Sequence, residues 1–278
     1  MREEDFFSVL MSIYKNETPD NFNDSLNSLF CQTLKPAEVV IVVDGPVDNA
    51  IYEVIEKWRS SLNLVVKKIK SNVGLGNALN FGLNFCSHEL IARMDTDDIS
   101  LPDRFFKQIN FMSINPSIAI LGANVEEYDR LMQKSLGFKN VPSSYNEILS
   151  FSKKRNPFNH MSVVFRKSVI LSVGGYRDHL LMEDYNLWLR VIATGHHVKN
   201  LEDTLLSVRV DSNSLVRRKG FLYIKSEIKL AKLKVELGIQ DRKSSFFTFI
   251  FRCVPRLLPK LLLTYIYKIN RKKTVWRS

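Results

Sequence analysis

Apolar and polar positions alternate along this chain in blocks whose period changes. Phe7-Ser8-Val9-Leu10-Met11-Ser12-Ile13 is a nearly unbroken apolar run that exits through Tyr14-Lys15-Asn16-Glu17, which predicts a buried strand with a polar end. Phe22, Leu26, Leu29 and Phe30 fall at helical spacing, with Asp20 or Asn21 as the candidate cap. Val39–Val43 is a continuous β-branched run, as expected of a strand buried on both faces of a parallel sheet, and Asp44-Gly45 follows at once. Ile51 to Leu62 reads as a helix and Leu64-Val65-Val66 as the start of a third strand. Leu75, Leu79 and Leu83 stack four apart on a helix from about Leu75 to Phe85, and Leu90 to Met94 is a fourth strand. Strand and helix alternate with short connections, so the expected class is α/β with a mainly parallel sheet flanked by helices. Ligands of such sheets sit beyond the carboxyl ends of the strands, where Tyr14/Asn16, Asp44 and Asp95/Asp97 should converge.

The fourth strand runs straight into Asp95-Thr96-Asp97-Asp98, three carboxylates in four residues. Carboxylates crowded at a strand end repel one another and lose hydration. A divalent cation relieves both costs, and hard oxygen ligands suit Mn²⁺ or Mg²⁺. The plainer reading is a solvated acidic turn in which Asp98 caps the next helix. Glu183-Asp184 opens a second apolar-periodic run (Tyr185, Leu187, Trp188, Leu189, Val191) and either begins a helix at its positive end or carries chemistry. His160 opens a strand, Ser162 to Phe165, where a lone histidine is most often structural. Trp188 stands at helical spacing, as a core residue does. Gly74-Leu75-Gly76 is followed by Leu79 where a dinucleotide fingerprint needs glycine, and no phosphate-binding P-loop occurs.

Charge divides the chain. Its 278 residues carry a formal +11, yet residues 215–278 hold 17 Lys/Arg against 3 Asp/Glu, and residues 1–214 hold 23 against 26. A near-neutral body, 1–214, therefore bears a strongly basic tail, 215–278, whose expected partner is anionic. Within the tail, Lys225 to Leu237 reads as an amphipathic helix ended by Gly238. Phe246 to Phe251 and Leu257 to Leu263 supply apolar and aromatic residues beside a stripe of Arg252, Arg256, Lys260 and Lys268, with Pro255 and Pro259 expected to kink or divide the helix. No uncharged run approaches the ~20 residues of a spanning helix, so the tail is expected to lie in an anionic membrane interface. Basic residues confined to one apolar-rich tail, with no nucleic-acid-reading motif, argue against nucleic acid. The amino terminus lacks a secretory pattern, and Cys31, Cys86 and Cys253 have neither metal-ligand nor disulfide spacing, which predicts a cytoplasmic location.

Taken in order, several segments resemble glycosyltransferase family 2, the inverting nucleotide-sugar transferases with the GT-A fold. They are Ser8–Tyr14, Ser25–Gln32 with Pro36, Val39–Gly45, Asn72-Val73-Gly74, Ala92–Ser100 with Pro102 and Arg104, Gly174-Gly175-Tyr176, and Glu183–Trp188. The similarity is greatest to bacterial O-antigen and exopolysaccharide transferases and covers roughly residues 6–215. It implies that Tyr14, Glu17 and Asp44 lie at a uridine pocket bordered by Asn72 and Gly74. Arg93 would support the sugar or diphosphate, Asp95 would contact ribose, sugar or metal, and Asp97 would bind the metal. Asp184 is the implied general base, with Glu183 beside it, while His160 is a candidate on the acceptor side and Trp188 a candidate to stack on a sugar. Many relatives carry Arg-x-His after the last body strand; here it reads Arg209-Val210-Asp211. Asp211 then stands as the candidate third metal contact, and Arg209, Arg217 and Arg218 become candidate charges for the diphosphate.

The chemistry agrees with the resemblance. A departing nucleoside diphosphate gathers negative charge that a cation stabilises, and the attacking hydroxyl needs a proton acceptor. The expected activity is therefore inverting transfer of a hexose, glucose or galactose favoured, from a UDP-sugar to a lipid-diphosphate-linked saccharide at the inner face of the cell membrane. A metal-dependent sugar nucleotidyltransferase is the alternative, weakened by the lack of glycine in the Tyr14–Pro19 loop.

Overall fold

In the computed structural model, which describes residues 6–210 and 221–257, the body is built on a sheet that is parallel at one end and mixed at the other. The strands are β1 (Phe7–Ile13), β2 (Glu38–Asp44), β3 (Leu64–Ile69), β4 (Leu90–Arg93), β5 (Ile99–Ser100), β6 (Ile118–Tyr128), β7 (Ser135–Lys139), β8 (Val164–Arg166) and β9 (His197–Arg209). Their spatial order is β3-β2-β1-β4-β8-β6-β9-β5, with β7 paired to β6. β3, β2, β1 and β4 run parallel, whereas β8 is antiparallel to both β4 and β6. β1 lies at the centre of the parallel half, so its exit and those of β2 and β4 open on the same edge.

Helices α1 (Pro19–Phe30), α2 (Asn49–Trp58) and α4 (Arg104–Ile114) cover one face. On the other face lie α3 (Leu75–Leu83), α5 (Tyr145–Ser152), α6 (Lys167–Ser172) and α7 (Glu183–Ala193). Because both faces are covered, β2 can be apolar at successive positions: Val39, Ile41 and Val43 enter one core and Val40 and Val42 the other. The first helix starts earlier than its apolar spacing suggests. Pro19 occupies its first turn, where a missing N–H costs nothing, and Thr18 is the cap, accepting from the Asn21 amide at 3.3 Å.

The basic segment folds onto the body. α8 (Phe221–Glu236) ends where Gly238 takes φ +68° and the Ile239 amide returns to the Lys234 carbonyl at 2.9 Å. Tyr223 and Leu230 of α8 share a small core with Met182, which precedes α7, and with Tyr185 and Leu189 of α7. α9 (Arg242–Leu257) follows and runs through Pro255 rather than breaking there, since a proline in the last turn removes a single helical hydrogen bond. The expected basic stripe is corrected at Arg252, which turns inward onto Glu227, a carboxylate buried to 2 %. Only the backbone of Arg256 is described, and Pro259, Lys260 and Lys268 lie outside the described residues. No helix among the described residues is long and apolar enough to cross a membrane.

Candidate active site

The sequence expectation that several strand ends meet is realised at the carboxyl edge of β1, β2 and β4. At the end of β2, Asp44 is nearly buried and accepts from Asn72 Nδ2 at 2.8 Å and from the Val73 and Gly74 amides at 2.8 and 3.1 Å. It therefore ties the end of β2 to the loop that opens α3. Gly45 permits this approach: a Cβ there would stand 2.7 Å from the Asn72 nitrogen, and its φ is +85°. At the exit of β1, Tyr14 is partly exposed, while Glu17 is engaged rather than free. One Glu17 oxygen accepts from the Thr18 amide at 2.8 Å and the other from the Thr96 hydroxyl at 2.5 Å, so Glu17 clasps the acidic turn.

In that turn Asp95, Asp97 and Asp98 each present a carboxylate oxygen within 4.8 Å of the others. Asp98 is buried; one oxygen accepts from the Arg209 amide at 3.1 Å, and its Oδ2 has no hydrogen-bond partner. Burial, with Asp95 and Glu17 nearby, pushes the Asp97 carboxyl up to about 7. Burial and the neighbouring Asp97 and Asp95 push Asp98 up as well. A close group of carboxylates in which Asp97 and Asp98 resist ionisation, with an orphaned oxygen on buried Asp98, fits a divalent cation. Asp97, Asp95 and Asp98 are the residues that would hold it.

Arg93 lies beneath the turn. It is 1 % exposed, pairs with Asp95 at 2.5 Å, and leaves Nε and Nη1 without partners. Across from it, at the start of α7, Asp184 accepts from its neighbour's amide, Tyr185, at 2.7 Å and from Asn156 Nδ2 at 2.6 Å. Burial raises the Asp184 pKa, while these two donors and Arg93 oppose the rise. Glu183 is pushed up to about 7 by burial and by Asp184, and Asp95 adds to the rise. The Arg93 charge acts on Asp97 and Asp98 and also on Glu183 and Asp184, so both carboxylate groups lie within Coulombic reach of one buried guanidinium. Gly76 packs closely against Glu183, since a Cβ there would lie 3.3 Å from the Glu183 Cβ.

One expectation is corrected. Trp188 is fully buried among Phe158, His160, Phe165 and Tyr176, so it underpins the site and presents no face to a sugar. The Arg209 guanidinium donates to the Asp97 carbonyl and, at 2.8 Å, to Asp24, which braces the acidic turn. His160 sits half-buried with Nε2 2.9 Å from the Tyr176 hydroxyl, and burial together with Arg93 holds its pKa well below the usual range. Asp211, Arg217 and Arg218 lie outside the described residues. Tyr176 and Thr96 stand in the motifs read from the sequence without a role of their own, and Asn156 stands in none of them. Asn156 lies 28 residues from Asp184, and nothing local announces the pairing.

Comparison with known proteins agrees with this architecture. The profile of Glycosyl transferase family 2 matches residues 8–178. The chain is 46% identical over 266 residues to the amylovoran biosynthesis glycosyltransferase AmsE of Erwinia amylovora, covering 96% of this chain and 99% of that one. It is 40% identical over 262 residues to the UDP-Gal:alpha-D-GlcNAc-diphosphoundecaprenol beta-1,3-galactosyltransferase of Escherichia coli, covering 94% and 95% respectively. The fold resembles that of S. aureus TarS 1–349 in complex with UDP-GlcNAc (TM-score 0.67, 17% identity, 89% of this chain and 71% of that one). It also resembles the mannosyltransferase PcManGT from Pyrobaculum calidifontis in complex with GDP-Man and Mn²⁺ (TM-score 0.64, 14% identity, 98% and 81%). The architecture and its acidic crevice define a GT-A glycosyltransferase. The chain belongs to glycosyltransferase family 2.

Proposed function

We propose that this protein transfers a hexose, with inversion, from a UDP-sugar to a lipid-diphosphate-linked saccharide during O-antigen or exopolysaccharide synthesis. The observation that carries the reading is the pair of carboxylate groups facing one buried arginine, Arg93. The lipid-linked acceptor and a galactosyl donor are suggested by the 40%-identical galactosyltransferase, and the polysaccharide pathway by AmsE as well. Membership of family 2 sets aside the nucleotidyltransferase alternative.

In this reading Tyr14, Asp44, Asn72 and Gly74 form the uridine end, and Arg93 and Asp95 receive the sugar diphosphate. Mn²⁺ or Mg²⁺, when bound at Asp97 and Asp95, supplies positive charge to the diphosphate as it departs. The acceptor oxygen attacks the anomeric carbon from the face opposite the diphosphate. The bond from that carbon to the phosphate oxygen breaks with its electrons, and the hydroxyl proton passes to Asp184. Asp184 must be ionised to accept it, and the Tyr185 amide and Asn156 stabilise that form. Glu183, with its raised pKa, supplies the base with a neighbour that readily keeps its own proton. His160, bonded to Tyr176, lies on the acceptor side as a neutral ring.

The tail brings the enzyme to its lipid-linked acceptor at the cytoplasmic face of the membrane. Phe246, Phe247, Ile250, Phe251 and Val254 recur at helical spacing and are all exposed on α9, and anionic lipid suits the surrounding basic charge. The test is a screen of UDP-hexoses against a lipid-diphosphate N-acetylhexosamine, with anomeric and linkage analysis of the product. The expected product is an inverted β-linked hexoside, formed only with a divalent cation and lost in Asp184→Asn. A retained anomeric configuration, or full activity in Asp184→Asn, overturns the mechanism.

A further inference from the structure

The carboxyl end of α5 is held by the tail. The Ser152, Lys153 and Lys154 carbonyls, three consecutive groups past the reach of the helix's own amides, accept from three different elements. Ser152 takes the Tyr185 hydroxyl at 2.6 Å, Lys153 takes Lys234 Nζ at 2.8 Å, and Lys154 takes Arg252 Nη1 at 2.8 Å. Helix ends leave such carbonyls unsatisfied and partly negative, so cations are favoured there. Two residues further on, Asn156 reaches Asp184.

Both cations also grip the residue next to Asp184. Lys234 Nζ lies 4.9 Å and the Arg252 guanidinium carbon 5.7 Å from the centre of the Tyr185 ring. Arg252 is itself fixed by a two-pronged contact with Glu227, 2.7 Å for each bond. Seating two cations side by side in the protein is costly: burial and Arg252 push the Lys234 ammonium down to about 7. Apolar residues would hold the tail to the body at least as well. The arrangement instead delivers donors to carbonyls, which methylenes do not.

We propose that Arg252 and Lys234, on the two tail helices, are positioning residues for Asp184, acting through the end of α5 on Asn156 and through Tyr185. This rests on the reading of Asp184 as the base. The tail is then part of the catalytic apparatus as well as the segment that meets lipid. α9 turns Phe247 and Phe251 outward and Arg252 inward, so one helix carries both duties. The charges that act on Asp184 are Glu183 on its own helix, Arg93 at the end of β4 and Lys139 at the end of β7; the tail cations work through geometry.

The experiment uses the full chain. Glu227→Met combined with Arg252→Met keeps an apolar contact between tail and body while removing the donor to Lys154; Lys234→Met removes the donor to Lys153. The expected result is a kcat lower by about tenfold, a donor KM within about twofold of the parent, and an acidic limb of the kcat–pH profile moved to higher pH. Amide exchange should quicken at residues 153–156 while β1, β2 and β4 keep their protection. Arg252→Lys, which can still donate to one carbonyl, should recover part of the kcat. Parental kcat and pH profile in these variants, with Asp184→Asn inactive, overturn this inference alone. Loss of kcat accompanied by faster exchange throughout the sheet also overturns it, since the tail would then serve stability only. Activity in Asp184→Asn removes the base reading and this inference with it.

Discussion

Asn156 donates to Asp184 at 2.6 Å, and so binds the loop after α5 to the first turn of α7. The bond favours the ionised carboxylate against a burial that opposes it. Asn156→Ala should therefore raise the Asp184 pKa. Fewer molecules carry an ionised base at a given pH, so the acidic limb of the kcat profile moves upward, by roughly one unit, or about tenfold in kcat below it. Donor KM should hardly change. A profile that stays in place would show that Asn156 does not tune the base.

Under the proposed mechanism, the acidic turn should make the donor site sensitive to cations. Chelation should abolish transfer, and Mn²⁺ or Mg²⁺ should restore it. Asp97→Asn should weaken UDP binding by at least ~10-fold when the cation is present and change it little when it is absent. Titration calorimetry with and without Mn²⁺ distinguishes these cases; equal UDP affinity with and without the cation would rule out a role for the turn in holding it.

Glu183 links the site to stability. Its pKa is about 7 in the folded chain against an ordinary 4.5, so the folded state holds this proton more tightly than the unfolded one. The resulting stabilisation is fully present below about pH 4.5 and is lost as pH rises through about 7. Glu183→Gln keeps a neutral side chain at all pH values. It should match the parent at pH 4.5 and exceed it at pH 8 by on the order of 1–3 kcal/mol, a rise of a few degrees in Tm in metal-free buffer. Identical Tm values at pH 8 would contradict the assigned environment.

The exposed aromatic side of α9 should govern lipid binding. Burying a Phe is worth about 1.5–3 kcal/mol, so half immersion of Phe247 and Phe251 implies roughly 10- to 100-fold weaker partitioning in the double Ser variant. Flotation with anionic vesicles measures this. Unchanged flotation would place the lipid-binding side elsewhere.

Much of the body was legible because its signals are local. A run such as Val39–Val43 excludes water on both faces wherever it is placed, and Asp95, Asp97 and Asp98 are neighbours in the chain before they are neighbours in space. Helix starts were less legible: apolar spacing points to Asp20 or Asn21 as the cap of α1, whereas Thr18 caps it, ahead of Pro19 in the first turn. Arg252 reads as one member of an exposed basic stripe, because helical spacing says which residues share a side but not which side meets a partner. Its partner, Glu227, lies on another helix. Trp188 reads first as core, with a sugar platform as the other reading, and its packing against Phe158 and Phe165 resolved this.

The amino-acid sequence by itself determined the alternation of strands and helices, the acidic turn, the basic tail and the family, since each rests on residue type and short spacing. Tertiary structure alone decided that Arg93 is buried and paired with Asp95, that Asn156 holds Asp184, and that two tail cations close the end of α5. The last two pairings join segments tens of residues apart. Their energies depend on burial and on ångström-scale distance, which come into being only when the chain has folded.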